Sequence, residues 1–195
     1  MALSETHLIG NGMTKYGEHS LYFSGRNDNV HREGVGFLLS KRARNALVEW
    51  KPINSRLAKA RFGSRQGTIT MIVCYSPIEA DTENEKDVFY DRLQEEVTLT
   101  QKHDILIIVG DFNAKIGCNN TGFENIMGRF SSGLRNGNGT RLVQMCSNNN
   151  LIIGGSLFKH KKIHLDTWIS PGGTFANQID HFCLRRLSRH SLEDV

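Results

Sequence analysis

The chain has 195 residues, only three of them proline, with 38% hydrophobic and 23% charged residues, a size and balance that suit one compact domain of about 100–200 residues. The uncharged segment Gly67 to Ile78 falls well short of the ~18 apolar residues of a membrane helix, and MALSETHLIG lacks the basic start and apolar run of a signal peptide. Neither a membrane span nor export is expected, which leaves an intracellular address, nuclear rather than cytoplasmic.

The formal charge of +4 is uneven: residues 79–96 hold 8 of the 20 acidic residues and two basic ones, leaving 22 basic against 12 acidic elsewhere, a surplus of +10. Basic clusters fall at Lys41, Arg42 and Arg44, at Arg56, Lys59, Arg61 and Arg65, at Lys159, Lys161 and Lys162, and at Arg185, Arg186 and Arg189. Such clusters either bind a polyanion by neutralising phosphates or are ordinary solvated side chains. Cys74, Cys118, Cys146 and Cys183 form no CxxC pair, so reduced thiols are expected rather than a zinc knuckle or a disulfide framework.

In chain order, Leu3 to Leu8 reads as the end of a strand, with Glu5 between small polar neighbours. Gly25 to Glu33 is a polar hairpin-type connection into a buried strand over Gly34 to Ser40, and Val48 to Ile53 and Leu57 to Phe62 suggest two more strands. Thr68 to Tyr75 is a strong strand halted at Ser76-Pro77, because proline fixes φ and lacks the ladder donor. Thr82 and Glu85 make a capping box, and Phe89, Leu93 and Val97 recur every fourth residue, so an amphipathic helix should run from Glu83 to about Thr100.

Asp104 to Gly117 is the centre of the chain. Ile105 to Val109 is an apolar, β-branched run that breaks at Gly110 into Asp111, the pattern of a buried strand delivering an acid to the rim of a sheet. If the strand conformation continues through Phe112, Asp111 and Asn113 share one face and can hold a water; otherwise GDFN is a Gly-Asp turn with a capping Asn. Gly117 to Gly139, with six glycines, reads as a long surface loop. Asn138 or Thr140 should then cap a helix carrying Leu142, Met145 and Cys146, followed by a short strand at Leu151 to Ile153. Thr167-Trp168-Ile169 precedes a Ser-Pro-Gly-Gly turn, and alternation through Ile179-Asp180-His181 makes Asp180 a second strand-borne acid facing away from His181.

Five motifs, LSET at Ser4-Glu5-Thr6, CYSP at Tyr75, GDFN at Asp111 and Asn113, TW at Thr167 and NQIDH at Asp180, occur in an order and spacing that resemble the endonuclease/exonuclease/phosphatase superfamily. Within it, CYSPIEADTENEKDVFYDRLQEEV, GDFNAKIG and TWISPGGTFANQIDH resemble the LINE-type retrotransposon endonucleases and the craniofacial development protein 2-like proteins derived from them. The resemblance spans the whole chain. It implies a four-layer α/β sandwich, two mixed sheets packed face to face with helices outside, as a single domain over residues 1–195. It also implies a Mg2+-dependent phosphodiesterase, with Mn2+ as substitute, that attacks DNA with water.

Carried over residue by residue, Glu5 would be a metal carboxylate. Tyr75 would donate its hydroxyl to the phosphate, Asp111 would orient or deprotonate the attacking water, and Asn113 would fix that water and the phosphate. Thr167 would support Asp111, and Asp180 would hold the catalytic histidine in its productive tautomer. Relatives begin with a strand carrying an Asn and end with a Ser-Asp-His motif and a closing strand. Neither is found here, and His181 and His190 are poor substitutes. The expectation is therefore a fragment or decayed copy with unpaired sheet edges. Two functions follow: a Mg2+-dependent DNA endonuclease of retrotransposon descent impaired by truncation, or a catalytically inactive module that binds nucleic acid or protein. A phosphatase of lipid or nucleotide phosphates shares the fold, but no loop built for a small head group is recognisable. The sequence assigns no oligomeric state.

Overall fold

A computed structural model describes residues 1–194, which divide into two compact units. The first comprises Met1–Tyr75 and Glu96–Gly110, the second Ser76–Glu95 and Asp111 onward.

In the first unit, β1 (Ala2–Leu3), β2 (Asn11–Tyr16), β3 (His19–Ser24) and β4 (Val35–Leu39) form an antiparallel sheet in the order β1-β4-β3-β2. The β2–β3 hairpin is absent from the expectation above. Strand β2 is largely exposed and β3 largely buried, and the turn is made by Gly17 at φ +56° and Glu18, a left-handed position that glycine enters freely. A short helix α1 (Lys41–Ala46), capped by Ser40 Oγ on the Ala43 amide, leads into β5 (Leu47–Asn54), β6 (Leu57–Ser64) and β7 (Gly67–Tyr75). These three strands pair antiparallel in sequence order, as period-two patterning and polar turns demand. The helix α2 (Glu83–Thr98) begins with the expected capping box, the Thr82 and Glu85 side chains each bonding the other's backbone N–H at 3.0–3.2 Å. Strand β8 (Ile105–Asp111) lies beside β7.

The two sheets of the first unit share one core. Val35, Phe37 and Leu39 of β4 are buried with Ala58 and Ala60 of β6 and Val73 of β7, rimmed by Tyr22, Trp50, Phe62 and Tyr75. The small alanines let the rings of Phe37, Trp50 and Phe62 meet edge to face. Glu96 at the end of α2 is fully buried, yet Lys51 Nζ and Lys59 Nζ donate to its two oxygens at 2.7 and 2.6 Å. Asp104, also buried, accepts from Arg61 Nε at 2.8 Å and Thr70 Oγ1 at 2.7 Å.

The second unit contains α3 (Gly137–Asn148), β9 (Leu151–Ile153), β10 (Trp168–Ile169), β11 (Ala176–Asn177) and β12 (Asp180–Arg185). Strand β12 pairs antiparallel with β9, and β10 with β11 across the Ser-Pro-Gly-Gly turn. The N-cap of α3 is Asn136, not Asn138 or Thr140: its Oδ1 accepts from Gly139 N at 2.8 Å and Lys115 N at 2.9 Å. Asn138 is fully buried inside the helix and donates to Pro77 O at 2.9 Å. The segment before α3 is more than a surface loop. Ile116, Ile126 and Met127 are core residues, and Arg135 holds the segment by donating Nε to Ile116 O at 2.9 Å. Glycines mask these few apolar anchors in the sequence.

The four cysteines are free thiols. Cys146 of α3 and Cys183 of β12 are buried with their sulfurs 3.7 Å apart, and its contact with Cys183, together with burial, pushes the Cys146 thiol well above its ordinary range. Among the described residues, no helix is long and apolar enough to cross a membrane.

Candidate functional site

In the first unit, Tyr75 is the last residue of β7, placed there because Pro77 cannot extend the ladder. Glu5 follows the two-residue β1, whose pairing Ala2↔Phe37 and Leu3↔Gly36 sets it at the end of β4. It takes φ +53°, a left-handed conformation costly for a side chain with a Cβ. The Tyr75 hydroxyl donates to Glu5 Oε1 at 2.6 Å. The Arg56 guanidinium lies over the Tyr75 ring, 5.2 Å from its centroid, and Nη1 donates to Tyr75 O at 3.3 Å.

In the second unit, the strand conformation does not continue to Asn113 as the alternation reading required. Strand β8 ends at Asp111, and Asn113 takes φ +46°. Asp111 Oδ1 accepts from the Asn113 amide at 2.8 Å, an Asx-turn, and Asn113 Nδ2 donates to Ser76 O at 2.9 Å. The physical reason is Phe112, fully buried, whose N–H donates to Ile179 O at 3.0 Å and pulls the chain inward. That bond brings the Asp111 turn next to the segment leading into β12.

There Thr167 Oγ1 accepts from the Ile179 and Asp180 amides, both at 3.1 Å, and so fixes the backbone that presents Asp180. Asp180 is exposed, whereas His181 is buried and donates a ring N–H to Ala114 O at 2.6 Å. Burial lowers the His181 pKa despite that bond, so the ring is neutral and structural. The alternation of Asp180 and His181 across β12 is as expected.

Of the six expected site residues, the first unit thus joins Glu5 to Tyr75, and the second joins Asp111, Asn113, Thr167 and Asp180. Arg56 and Ser76 escaped sequence reasoning as contributors. Arg56 stood only in a basic cluster, and nothing local marks it as stacked on a tyrosine 19 residues away.

Among the described residues, no cluster of three or more His, Cys, Asp or Glu is placed to hold a metal ion. Mg2+ needs less than that: it keeps several waters and takes one or two carboxylates together with substrate phosphates. The exposed Glu5 carboxylate, a hard oxygen donor, fits that demand.

The fold is that of the endonuclease/exonuclease/phosphatase proteins. It superimposes on the endonuclease domain of TRAS1, a telomere-specific non-LTR retrotransposon, with a TM-score of 0.61 at 14% identity over 90% of this chain and 70% of that one. It also superimposes on NExo, a 3′ phosphatase from Neisseria bound to product DNA hairpin, with a TM-score of 0.56 at 12% identity over 84% of this chain and 66% of that one. In sequence, all 195 residues align with craniofacial development protein 2 of Bos taurus at 35% identity and of Tragulus javanicus at 34%. The chain covers 32% and 33% of those proteins, so it spans about a third of the length of the curated relatives it matches. No family profile matches the chain.

Proposed function

We propose that this chain is a Mg2+-dependent DNA endonuclease domain of retrotransposon descent. The observation that carries the reading is the 2.6 Å bond from Tyr75 to Glu5, 70 residues apart in sequence, in a fold shared with an endonuclease. The Tyr75 ring packs on the rim of the core, while its hydroxyl reaches past that core to an exposed carboxylate. That pairing suits a site where the carboxylate takes a cation and the hydroxyl meets a phosphate.

Glu5 is the residue that would hold Mg2+, which when bound supplies charge stabilisation to the phosphodiester. The Tyr75 hydroxyl, whose one proton goes to Glu5 Oε1, would turn that donation to a phosphate oxygen once Glu5 holds the cation. Asp111, oriented through Oδ1 by the Asn113 amide, accepts the proton of the attacking water. Asn113 gives one amide hydrogen to Ser76 O and has a second for the water or the phosphate. Thr167 holds the backbone that presents the exposed Asp180 carboxylate.

The test is nicking of supercoiled plasmid with Mg2+, with EDTA and with Asp111→Ala. Nicking that needs Mg2+ and disappears in the variant is the expected result. Nicking that persists in EDTA or in Asp111→Ala sinks the reading.

Two observations favour a second reading, a binding module without turnover: Asn113 is left-handed and commits an amide hydrogen to a backbone carbonyl, and basic residues outnumber acidic ones 22 to 12 outside residues 79–96. That reading expects salt-sensitive DNA binding with no nicking.

A further inference from the structure

Three non-glycine residues of the first unit cluster in the left-handed region beside Tyr75: Glu5 at φ +53°, His7 at +55° and Glu33 at +59°. Strain gathered in one place persists only where the surroundings impose it. Here a single residue does much of the imposing.

The Glu33 carbonyl accepts from His7 N at 2.8 Å, and that of its neighbour Gly34 accepts from Thr6 N at 3.0 Å, which clamps the turn carrying Glu5. Gly34 sits at φ +94°, where a Cβ would lie 2.3 Å from Thr6 Oγ1, so the two segments are as close as backbone allows. The Glu33 carboxylate meanwhile pairs with Arg56 Nη2 at 3.0 Å and Arg26 Nη1 at 3.3 Å, and accepts from Ser55 Oγ. Arg56 is the side chain stacked on Tyr75, and its own carbonyl accepts from Tyr75 N at 2.9 Å. Glu33 therefore reaches both halves of the Glu5–Tyr75 pair through one intermediary each, His7 by its backbone and Arg56 by its carboxylate. With 13% side-chain exposure, against 25% for Arg56, it is the more enclosed partner.

We propose that Glu33 is a positioning residue for the Glu5–Tyr75 pair, acting through Arg56. The proposal rests on the reading of Glu5 and Tyr75 as phosphodiesterase residues. The carboxylate meets one guanidinium nitrogen, Nη2, while the other, Nη1, donates to Tyr75 O; held at both nitrogens, the planar guanidinium fixes the phenol it stacks on, so the hydroxyl keeps one direction. Glutamine at position 33 keeps the size but loses the charge that anchors the guanidinium, and lysine at position 56 keeps the charge but loses the planar group that spans the two partners.

The experiment compares wild type, Glu33→Gln, Arg56→Lys and the double variant in two assays. In plasmid nicking, each single variant should lower the rate at saturating DNA by about 10²-fold, with the DNA concentration for half-maximal rate unchanged within about twofold, as misplacement of a reacting group does. The double variant should be no slower than either single one, since both break the same contact. Additive losses, or a loss confined to DNA affinity, overturn the proposal.

The second assay needs no turnover. In protein carrying 13C-labelled tyrosine, the Tyr75 ring resonance, assigned with Tyr75→Phe, should move in Glu33→Gln and in Arg56→Lys, while those of Tyr16 and Tyr90 stay in place. An unmoved Tyr75 signal overturns the proposal. If wild type does not nick while the Tyr75 signal moves as expected, the endonuclease reading fails and the positioning of the phenol by Glu33 stands. Should one single variant fail to fold, the other reads the same contact from its opposite side.

Discussion

Replacing Gly110 by alanine tests whether backbone geometry, rather than hydrophobic patterning alone, delivers Asp111. Gly110 sits at φ +146°, and a Cβ there would lie 2.0 Å from Cys74 O and 2.9 Å from Cys74 C and N. Two costs add. A glycine-only conformation forced on alanine costs about 1–3 kcal/mol. Pushing β8 away from β7 to relieve the contact costs about another 1–3 kcal/mol, as overpacking does, because the obstacle is rigid backbone rather than the end of a flexible side chain. The sum is about 2–6 kcal/mol. For a chain of this length each kcal/mol moves the midpoint by about 2–4 °C, so Gly110→Ala should lower Tm by at least about 4 °C. The assay is thermal unfolding followed by far-UV circular dichroism, with plasmid nicking at a temperature where the variant remains folded. A fall in Tm below about 2 °C would refute the reasoning, since neither strain nor overlap would then be real.

Three further outcomes follow from the same geometry. Arg61 and Thr70 hold the Asp104 carboxyl below its usual range against opposing burial, and at Glu96 burial is outweighed by Lys51 and Lys59, so that pKa is lowered too. Both carboxylates stabilise the fold fully above their unfolded values of about 4, and that stability is lost as pH falls through the folded values. Tm should hold from pH 7 to 5 and drop below about pH 4, with Asp104→Asn flattening the drop; an equally steep fall in that variant contradicts the assignment. Asn136→Ala removes the cap of α3, worth about 1 kcal/mol, together with its bond to Lys115 N, and a urea midpoint indistinguishable from wild type would count against it. Tyr75→Phe should leave Tm nearly unchanged and slow nicking by about 10²–10³-fold, as loss of a transition-state donor does; unaltered nicking would remove Tyr75 from the site.

Where the chain writes its structure locally, sequence reading was close. The Thr82/Glu85 capping box, the period-two runs of β5, β6 and β7, and the apolar run of β8 appear with bounds shifted by a few residues. The β2–β3 hairpin was missed because NGMTKY carries few apolar residues and sits largely exposed, so its pairing rather than its pattern makes it a strand. The cap of α3 was misplaced by two residues. A Gly-Asn-Gly-Thr run offers several capping side chains, and only the fold decides which one turns inward.

The candidate site divides along the same line. Asp111 and Asp180 are legible as acids at strand ends, since a β-branched run breaking into a carboxylate, and an acid alternating with a buried histidine, are local patterns. Only the tertiary structure decided that Asn113 leaves the strand face, because the pull comes from Phe112 bonding to Ile179 far along the chain. It alone placed the Tyr75 hydroxyl on Glu5 and the Arg56 guanidinium over the Tyr75 ring. Residue type and spacing encode which groups a strand can offer. Direction and partner are set by contacts between residues distant in sequence, and those contacts exist only once the sheets have packed.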